Sequence, residues 1–299
     1  VNPINYLEAL YGVTKLLPTD SPKNVVIIGS GPSGMEAARV AALRGHMVTI
    51  LEKADRIGGA INLQSKLPTR DGVMKAVTWW NGRLDALGVK IMLNTEATVE
   101  LVQAFNPDVV VVATGAAFDS TGVNGLTGRE IPGHDRDFVY TPATFLPSIP
   151  EVKRNFVVYD EDGAITASDI AWMMAKNGAA HVDLVTRHAA TAANYVGKSG
   201  HHRELNAMKL REYEVQVSVE TFIKEIGDHE VTLYDIWSNE ERVVRDVDAV
   251  VLVTLRKSVN GLAAQLAGKV PDVRVLGDAH APGRWAKATR DGFFFGWKL

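Results

Sequence analysis

Apolar residues in this chain cluster in short unbroken runs, and the segments between them carry apolar positions at helical spacing. That alternation marks parallel strands covered by helices. The clearest instance is NVVIIGSGPSGMEAARVAALRGHMVTILE, residues 24–52. It predicts a strand over 25–28, a glycine-rich turn, a helix reaching Arg44 and a second strand ending on Glu52. Further along, the pattern predicts a helix over 73–87, a short strand over 88–94 and a buried strand over 108–115, DVVVVATG. Residues 119–150 lack periodicity and read as a crossover between domains. The strand, helix, strand sequence then restarts over 155–159, 166–177 and 181–186. A helix over 203–213 follows. Residues 215–220, 230–237 and 241–245 alternate like antiparallel strands, 248–254 is another buried strand, and 273–279 is a strand ending in Gly-Asp. A helix runs from Trp285 to the end.

Composition narrows what such a chain can do. With 299 residues, 46% of them apolar and 22% charged, it accommodates two ordinary globular domains. Three stretches are expected: a connector over 1–23, a first domain over 22–150 plus 259–299, and a second over 151–258. A net charge of −3 provides no basic field for nucleic acid, and no apolar run is long enough to span a bilayer. Cysteine is absent, which removes disulfides, thiolate metal sites and redox cysteine pairs from consideration. The opening residues show no secretory pattern, so a cytoplasmic location is expected. The first residue, Val1, suggests a processed product or a piece of something longer.

The candidate chemistry lies in the first strand–turn–helix. Gly29-Ser30-Gly31-Pro32-Ser33-Gly34 has the G-x-G-x-x-G spacing, and Glu52 follows the last glycine after seventeen intervening residues. In such a loop the first glycine permits a tight turn, the second leaves room for a pyrophosphate and the third allows close packing of the helix. Phosphate oxygens would meet the unpaired N–H groups and positive dipole of the helix N-terminus, while the acid accepts from an adenosine ribose hydroxyl. The expected fold is therefore α/β, with two Rossmann-like dinucleotide-binding units. After Glu52 and Lys53, Arg56-x-Gly58-Gly59 forms a turn that is either a ligand contact or an ordinary loop. Trp79 and Trp80 read as core or interface residues rather than cofactor stackers. His201-His202 reads as an exposed pair, since neighbours on a helix point different ways. No general acid, base, nucleophile or metal site is evident.

The second unit departs from the first. With the two helices in register, Asp162, Ala164 and Ala167 stand where Gly29, Gly31 and Gly34 stand. An acid about 5 Å from a phosphate is repelled by ~3 kcal/mol at an effective dielectric of about 20, more than the ~0.3–2 kcal/mol that a helix dipole returns. Its second strand ends on Arg187 rather than an acid, which keeps a 2′-phosphate, and hence NADP, in play. The other reading of this unit is a nucleotide fold kept as structure only.

The fingerprint with Glu52, the Arg56-x-Gly58-Gly59 turn, Ala113-Thr114-Gly115 and Gly277-Asp278-Ala279 together resemble two-dinucleotide-fold flavoproteins with FAD/NAD(P)-binding architecture. The disulfide reductases among these need a cysteine pair and are excluded. Leu126-Thr127-Gly128, Ile131-Pro132-Gly133, Ala193-Asn194-Tyr195, Tyr234-Asp235-Ile236-Trp237 and Gly277-Asp278-Ala279-x-Ala281-Pro282 carry a closer resemblance. They look like the C-terminal half of the trimethylamine dehydrogenase family, of which the 2,4-dienoyl-CoA reductases are more distant members. That resemblance implies FAD, or ADP in its place, held by Gly29, Ser30, Gly31, Pro32, Ser33, Gly34, Glu52, Lys53, Arg56, Gly59, Ala113, Thr114, Gly115, Gly277 and Asp278. It implies an FMN barrel and a [4Fe-4S] cluster on a partner chain or missing portion, with an electron-transfer flavoprotein as a candidate acceptor. Val1-Asn2-Pro3 resembles the segment that follows the last cluster cysteine. Two rival readings remain: an NAD(P)H-dependent reductase half with the nicotinamide at Arg187, and a purely structural ADP scaffold. Bulky Arg284 and Trp285 open the final helix where a flavin would extend.

Overall fold

The computed structural model describes residues 16–195 and 201–299. In chain order its elements begin β1 (Asn24–Ile28), α1 (Pro32–Leu43), β2 (Met47–Leu51), α2 (Met74–Ala86), β3 (Lys90–Met92), α3 (Val99–Ala104) and β4 (Val109–Val112). There follow β5 (Val139–Tyr140), β6 (Asn155–Asp160), α4 (Ile165–Lys176), β7 (His181–Thr186), α5 (His201–Glu212) and β8 (Gln216–Ser218). The chain finishes with β9 (Thr221–Ile226), β10 (Val231–Asp235), β11 (Glu241–Val244), β12 (Val247–Val253), β13 (Val273–Val275) and α6 (Trp285–Lys298). Among the described residues no helix is long and apolar enough to cross a membrane.

The chain forms two compact units. The first comprises the described residues up to Ser65, Gly72–Ala117 and Lys257–Leu299, and the second Lys66–Asp71 and Phe118–Arg256. Residues 118–150, expected with the first domain, thus cluster with the second. The side chains of His201 and His202 lie outside the described residues, as does most of the expected connector.

In the first unit a parallel sheet has the order β13-β4-β1-β2-β3. Both faces are covered, which is why β1 and β4 read as unbroken apolar runs. Val25, Ile27, Ile50 and Val111 pack with α1 and Trp80 on one face, whereas Val26, Ile28, Val110 and Val112 pack with Val99, Val102 and Leu266 on the other. β1 lies between β2 and β4, so the chain leaves it in one direction and returns on the other side. Such a reversal opens a crevice at the C-terminal ends of the strands, and the loop over 29–34 sits there. α6 crosses α1 closely. A Cβ on Gly292 would stand 2.3 Å from Ser33 O, and one on Gly296 would stand 2.7 Å from Val40 Cβ. The spacing of these two glycines lets the last helix lie against the phosphate-loop helix.

The second unit repeats the plan with the order β5-β12-β6-β7-β8, all parallel. Here the structure corrects the antiparallel reading of 215–220. That run is β8, paired parallel with β7, because the helix α5 before it makes a crossover rather than a hairpin. The antiparallel sheet is β9-β10-β11, and β9, absent from the sequence expectation, supplies its first strand. Phe222, Ile223 and Leu233 of this sheet bury one face of the parallel sheet at Val157, Tyr159, Val185 and Val250.

Candidate nucleotide site

The loop after β1 is held from three sides. Gly29, at φ +101°, presses against β4: a Cβ there would meet Ala113 O at 2.5 Å. Gly34 is equally confined, with its missing Cβ 2.0 Å from Gly29 O. Gly31 differs from both, because a Cβ at this position meets nothing within 4 Å. It is the N-cap of α1, with extended backbone, Pro32 in the first turn and no side-chain cap. Orphan N–H groups at a helix start, facing open space and reinforced by the helix dipole, are what an anion binds to.

Glu52 is buried beside this loop. Its Oε2 accepts hydrogen bonds from Ser30 N at 2.8 Å and Ser30 Oγ at 2.6 Å, and its Oε1 accepts from Ala54 N at 2.9 Å. Ser30 is fully buried. Its N–H and hydroxyl are therefore committed to the carboxylate, and its part in the site is to orient Glu52. Of the carboxylate's roughly four lone-pair sites, the one left on Oε1 can accept from a ribose hydroxyl. The turn at Gly58-Gly59 joins the same place: Gly58 N donates to Ser30 O at 3.0 Å, and a Cβ on Gly59 would lie 3.0 Å from Gly31 Cα. Of its two sequence readings, the structure brings this turn up to the loop.

The remaining candidates surround the crevice at varying distance. Ala113 backs the loop, Thr114 Oγ1 donates to Val259 O, and Gly115 accepts from Val259 N at 3.0 Å. Gly277 packs on α1 so closely that its missing Cβ would be 2.5 Å from Ser33 Oγ. Asp278 accepts from Gly283 N at 2.9 Å, and Ser258 Oγ donates to the Asp278 carbonyl at 2.8 Å. Asn260 Nδ2 holds the next carbonyl, of Ala279, at 2.9 Å. Ser258 and Asn260 were not legible as site residues; the only sequence signal was their place after a buried strand. Lys53 is exposed, and the Arg56 guanidinium bonds its exposed neighbour Asp55 at 2.8 Å, which holds the Asp55 carboxyl below its usual range. Neither is brought to the loop by a contact of its own.

A polar cluster escaped the sequence reading. Glu36 on α1 is buried, yet its Oε2 accepts from Trp80 Nε1 at 2.9 Å and both its oxygens accept from Arg39. Arg39 lies over the half-exposed Trp79 ring at 5.6 Å. Trp80 is thus core and Trp79 a surface stack for Arg39.

In the second unit the corresponding loop is filled by its own side chains. Glu161, fully buried, accepts from Gly125 N at 2.8 Å and from Tyr159 Oη at 2.7 Å, and its Oε1 lies 2.8 Å from Arg187 Nε. Arg187, the candidate for a 2′-phosphate, faces this carboxylate instead. Burial pushes Asp160 up to about 7 and Tyr159 well above its ordinary value, the latter reinforced by the Glu161 charge.

Comparison with known proteins agrees with this geometry. The NAD(P)-binding Rossmann-like domain family matches residues 27–82, the span of the glycine loop and Glu52. N,N-dimethylglycine/sarcosine dehydrogenase of Chromohalobacter salexigens is 37% identical over 177 residues, which is 58% of this chain and 24% of that protein. Cinnamate reductase of Clostridium sporogenes is 27% identical over 94% of this chain and 39% of its own length. The structure of 6-hydroxypseudooxynicotine amine oxidase from Pseudomonas geniculata N1 superposes over 99% of the chain with a TM-score of 0.91 and 29% identity. Relatives such as dimethylamine dehydrogenase, cinnamate reductase and NADH oxidase are members of the trimethylamine dehydrogenase and 2,4-dienoyl-CoA reductase family, and the chain is similar to them. It matches the C-terminal, FAD-binding part of these oxidoreductases and spans less than half the length of each of the three proteins compared above.

Proposed function

We propose that the chain is the FAD- or ADP-binding part of an iron–sulfur flavoprotein oxidoreductase of the amine dehydrogenase or demethylase type. The observation that carries this reading is the open space over Gly31, at an uncapped helix start beside a carboxylate fixed by three hydrogen bonds. The residues fit an adenosine diphosphate moiety. The first turn of α1 would take the pyrophosphate, Glu52 the ribose, and the Gly58-Gly59 turn the space above the loop. FAD would add a flavin that accepts and passes on electrons, whereas ADP would add no redox chemistry. The amine assignment is supported by the 37% identity to a dehydrogenase of N-methylated amines and by the superposition on an amine oxidase.

In this reading the FMN barrel and the [4Fe-4S] cluster belong to a partner chain or further portion, and an electron-transfer flavoprotein is the acceptor. No catalytic residue is assigned to the chain itself. The test is a near-ultraviolet and visible absorbance spectrum of the purified protein, followed by denaturation and identification of the released nucleotide. A flavin band with released FAD supports the redox reading. Released ADP from a colourless protein supports the ADP form, with the nucleotide in a structural role. A chain that carries neither, and binds neither when they are added, overturns the proposal.

A further inference from the structure

The first unit exposes its anion site, and the second, built on the same plan, closes its own. α4 starts at Ile165 with Ala164 as N-cap, in the position Gly31 has before α1. The loop between β6 and α4 is Glu161-Asp162-Gly163-Ala164. Its first three N–H groups are already committed. Glu161 N and Asp162 N donate to Val253 O at 3.0 and 3.3 Å, and Gly163 N donates to Asp160 Oδ1 at 2.9 Å. Its carbonyls are covered from outside: Asn194 Nδ2 donates to Asp162 O at 2.7 Å and Asn194 N to Gly163 O at 2.9 Å, while His188 Nε2 lies 3.3 Å from Glu161 O. The space that the missing side chain of Gly163 leaves is occupied. A Cβ there would stand 2.7 Å from His188 Nε2 and 2.9 Å from Asn194 Nδ2.

The charge is settled internally as well. The Glu161 carboxylate is fully buried, with Arg187, Gly125 N–H and Tyr159 Oη around it. A second anion would meet the Glu161 and Asp162 carboxylates and find the Arg187 cation already paired. We infer that Asn194 and His188 over the loop, together with the internal Glu161–Arg187 pair, close the second unit's anion site, and that this unit does not bind NADH or NADPH. The fold family implies a nicotinamide dinucleotide here, and the residues present do not fit one. Electrons therefore do not enter the chain as hydride from a nicotinamide held by this unit. The inference stands on the second unit alone and does not depend on which nucleotide the first one holds.

Calorimetric titration of the purified chain with NADH and with NADPH, each in the absence and presence of saturating ADP, tests it. The expected result is no saturable binding up to about 1 mM, the upper end of ordinary substrate affinities. Binding that ADP displaces belongs to the first unit and also supports the inference. Saturable binding that survives ADP overturns it. A second measurement reads the Glu161–Arg187 pair itself. Arg187→Ala leaves a buried carboxylate without its cation, and the melting temperature should fall by about 10 °C, given the usual cost of breaking a buried pair. An unchanged melting temperature would overturn the assignment of Arg187 to Glu161. A separate titration with ADP alone reads the first unit, so failure of the proposed function is distinguishable from failure of this inference.

Discussion

Adding one methyl group at Gly31 and one at Gly34 separates binding from folding within a single loop. Gly31 has extended backbone and open surroundings, so Gly31→Ala is sterically free. Losing a glycine N-cap costs a few tenths of a kcal/mol to about 1, and the reduced freedom of the unfolded chain returns about 0.4–1 kcal/mol. Net stability should therefore stay within ~1 kcal/mol. The same methyl stands where a phosphate must approach the helix N–H groups, and it holds the phosphate beyond hydrogen-bond distance of about 2.9 Å. Losing one charge-assisted bond is worth about 1.5–3 kcal/mol, or roughly 10- to 150-fold in affinity. Gly34→Ala does the opposite. Its Cβ would lie 2.0 Å from Gly29 O, a backbone atom itself confined by Ala113, so the helix must shift. A cost of ~3 kcal/mol or more is expected. Thermal melts with and without ADP read both effects. Ligand at about 100 times Kd stabilises the wild type by ~2.7 kcal/mol, and Gly31→Ala should retain about 1.4 or less at that concentration. A Gly31→Ala protein that binds ADP like the wild type, or melts as low as Gly34→Ala, would refute the account of the loop.

Three further outcomes follow from the same contacts. Glu52→Gln replaces one acceptor oxygen by an N–H donor and cannot satisfy both Ser30 and Ala54 N, so ADP affinity should drop about tenfold, measured by calorimetry. Gly292→Ala drives a methyl to 2.3 Å from Ser33 O and should destabilise the protein by about 2–3 kcal/mol in denaturant melts, because α6 is forced off α1. The Asp160 carboxyl, raised from 3.8 to about 7 in the folded protein, keeps its proton there over a range in which the unfolded chain loses it. Its contribution to stability falls as pH rises from about 4 to about 7 and is level above that, with the charged form destabilising. Asp160→Asn should therefore be more stable than wild type above neutrality, with the advantage shrinking on acidification; a pH-independent difference between their melts would contradict the assignment.

Local sequence determined the strand–loop–helix over 24–52, because apolar runs buried on both faces, a glycine spacing and a terminal acid are all read within one short segment. Most helices and parallel strands of both units were legible for the same reason, whereas which of Trp79 and Trp80 faces inward was not. What the tertiary structure decided depends on partners far apart in the chain. Ser30 looks like a phosphate ligand until Glu52 is seen to take both of its donors. Arg187 reads from sequence only as a basic strand end, and the fold is what places it beside Glu161, twenty-six positions earlier. The parallel pairing of β8, the existence of β9 and the grouping of residues 118–150 with the second unit likewise follow from long-range contacts. The physical reason is the same in each case. Periodicity and propensity are local properties, whereas a charged or polar side chain is defined by the partner that the fold brings to it, and the energy of that pairing depends on burial that no single segment encodes.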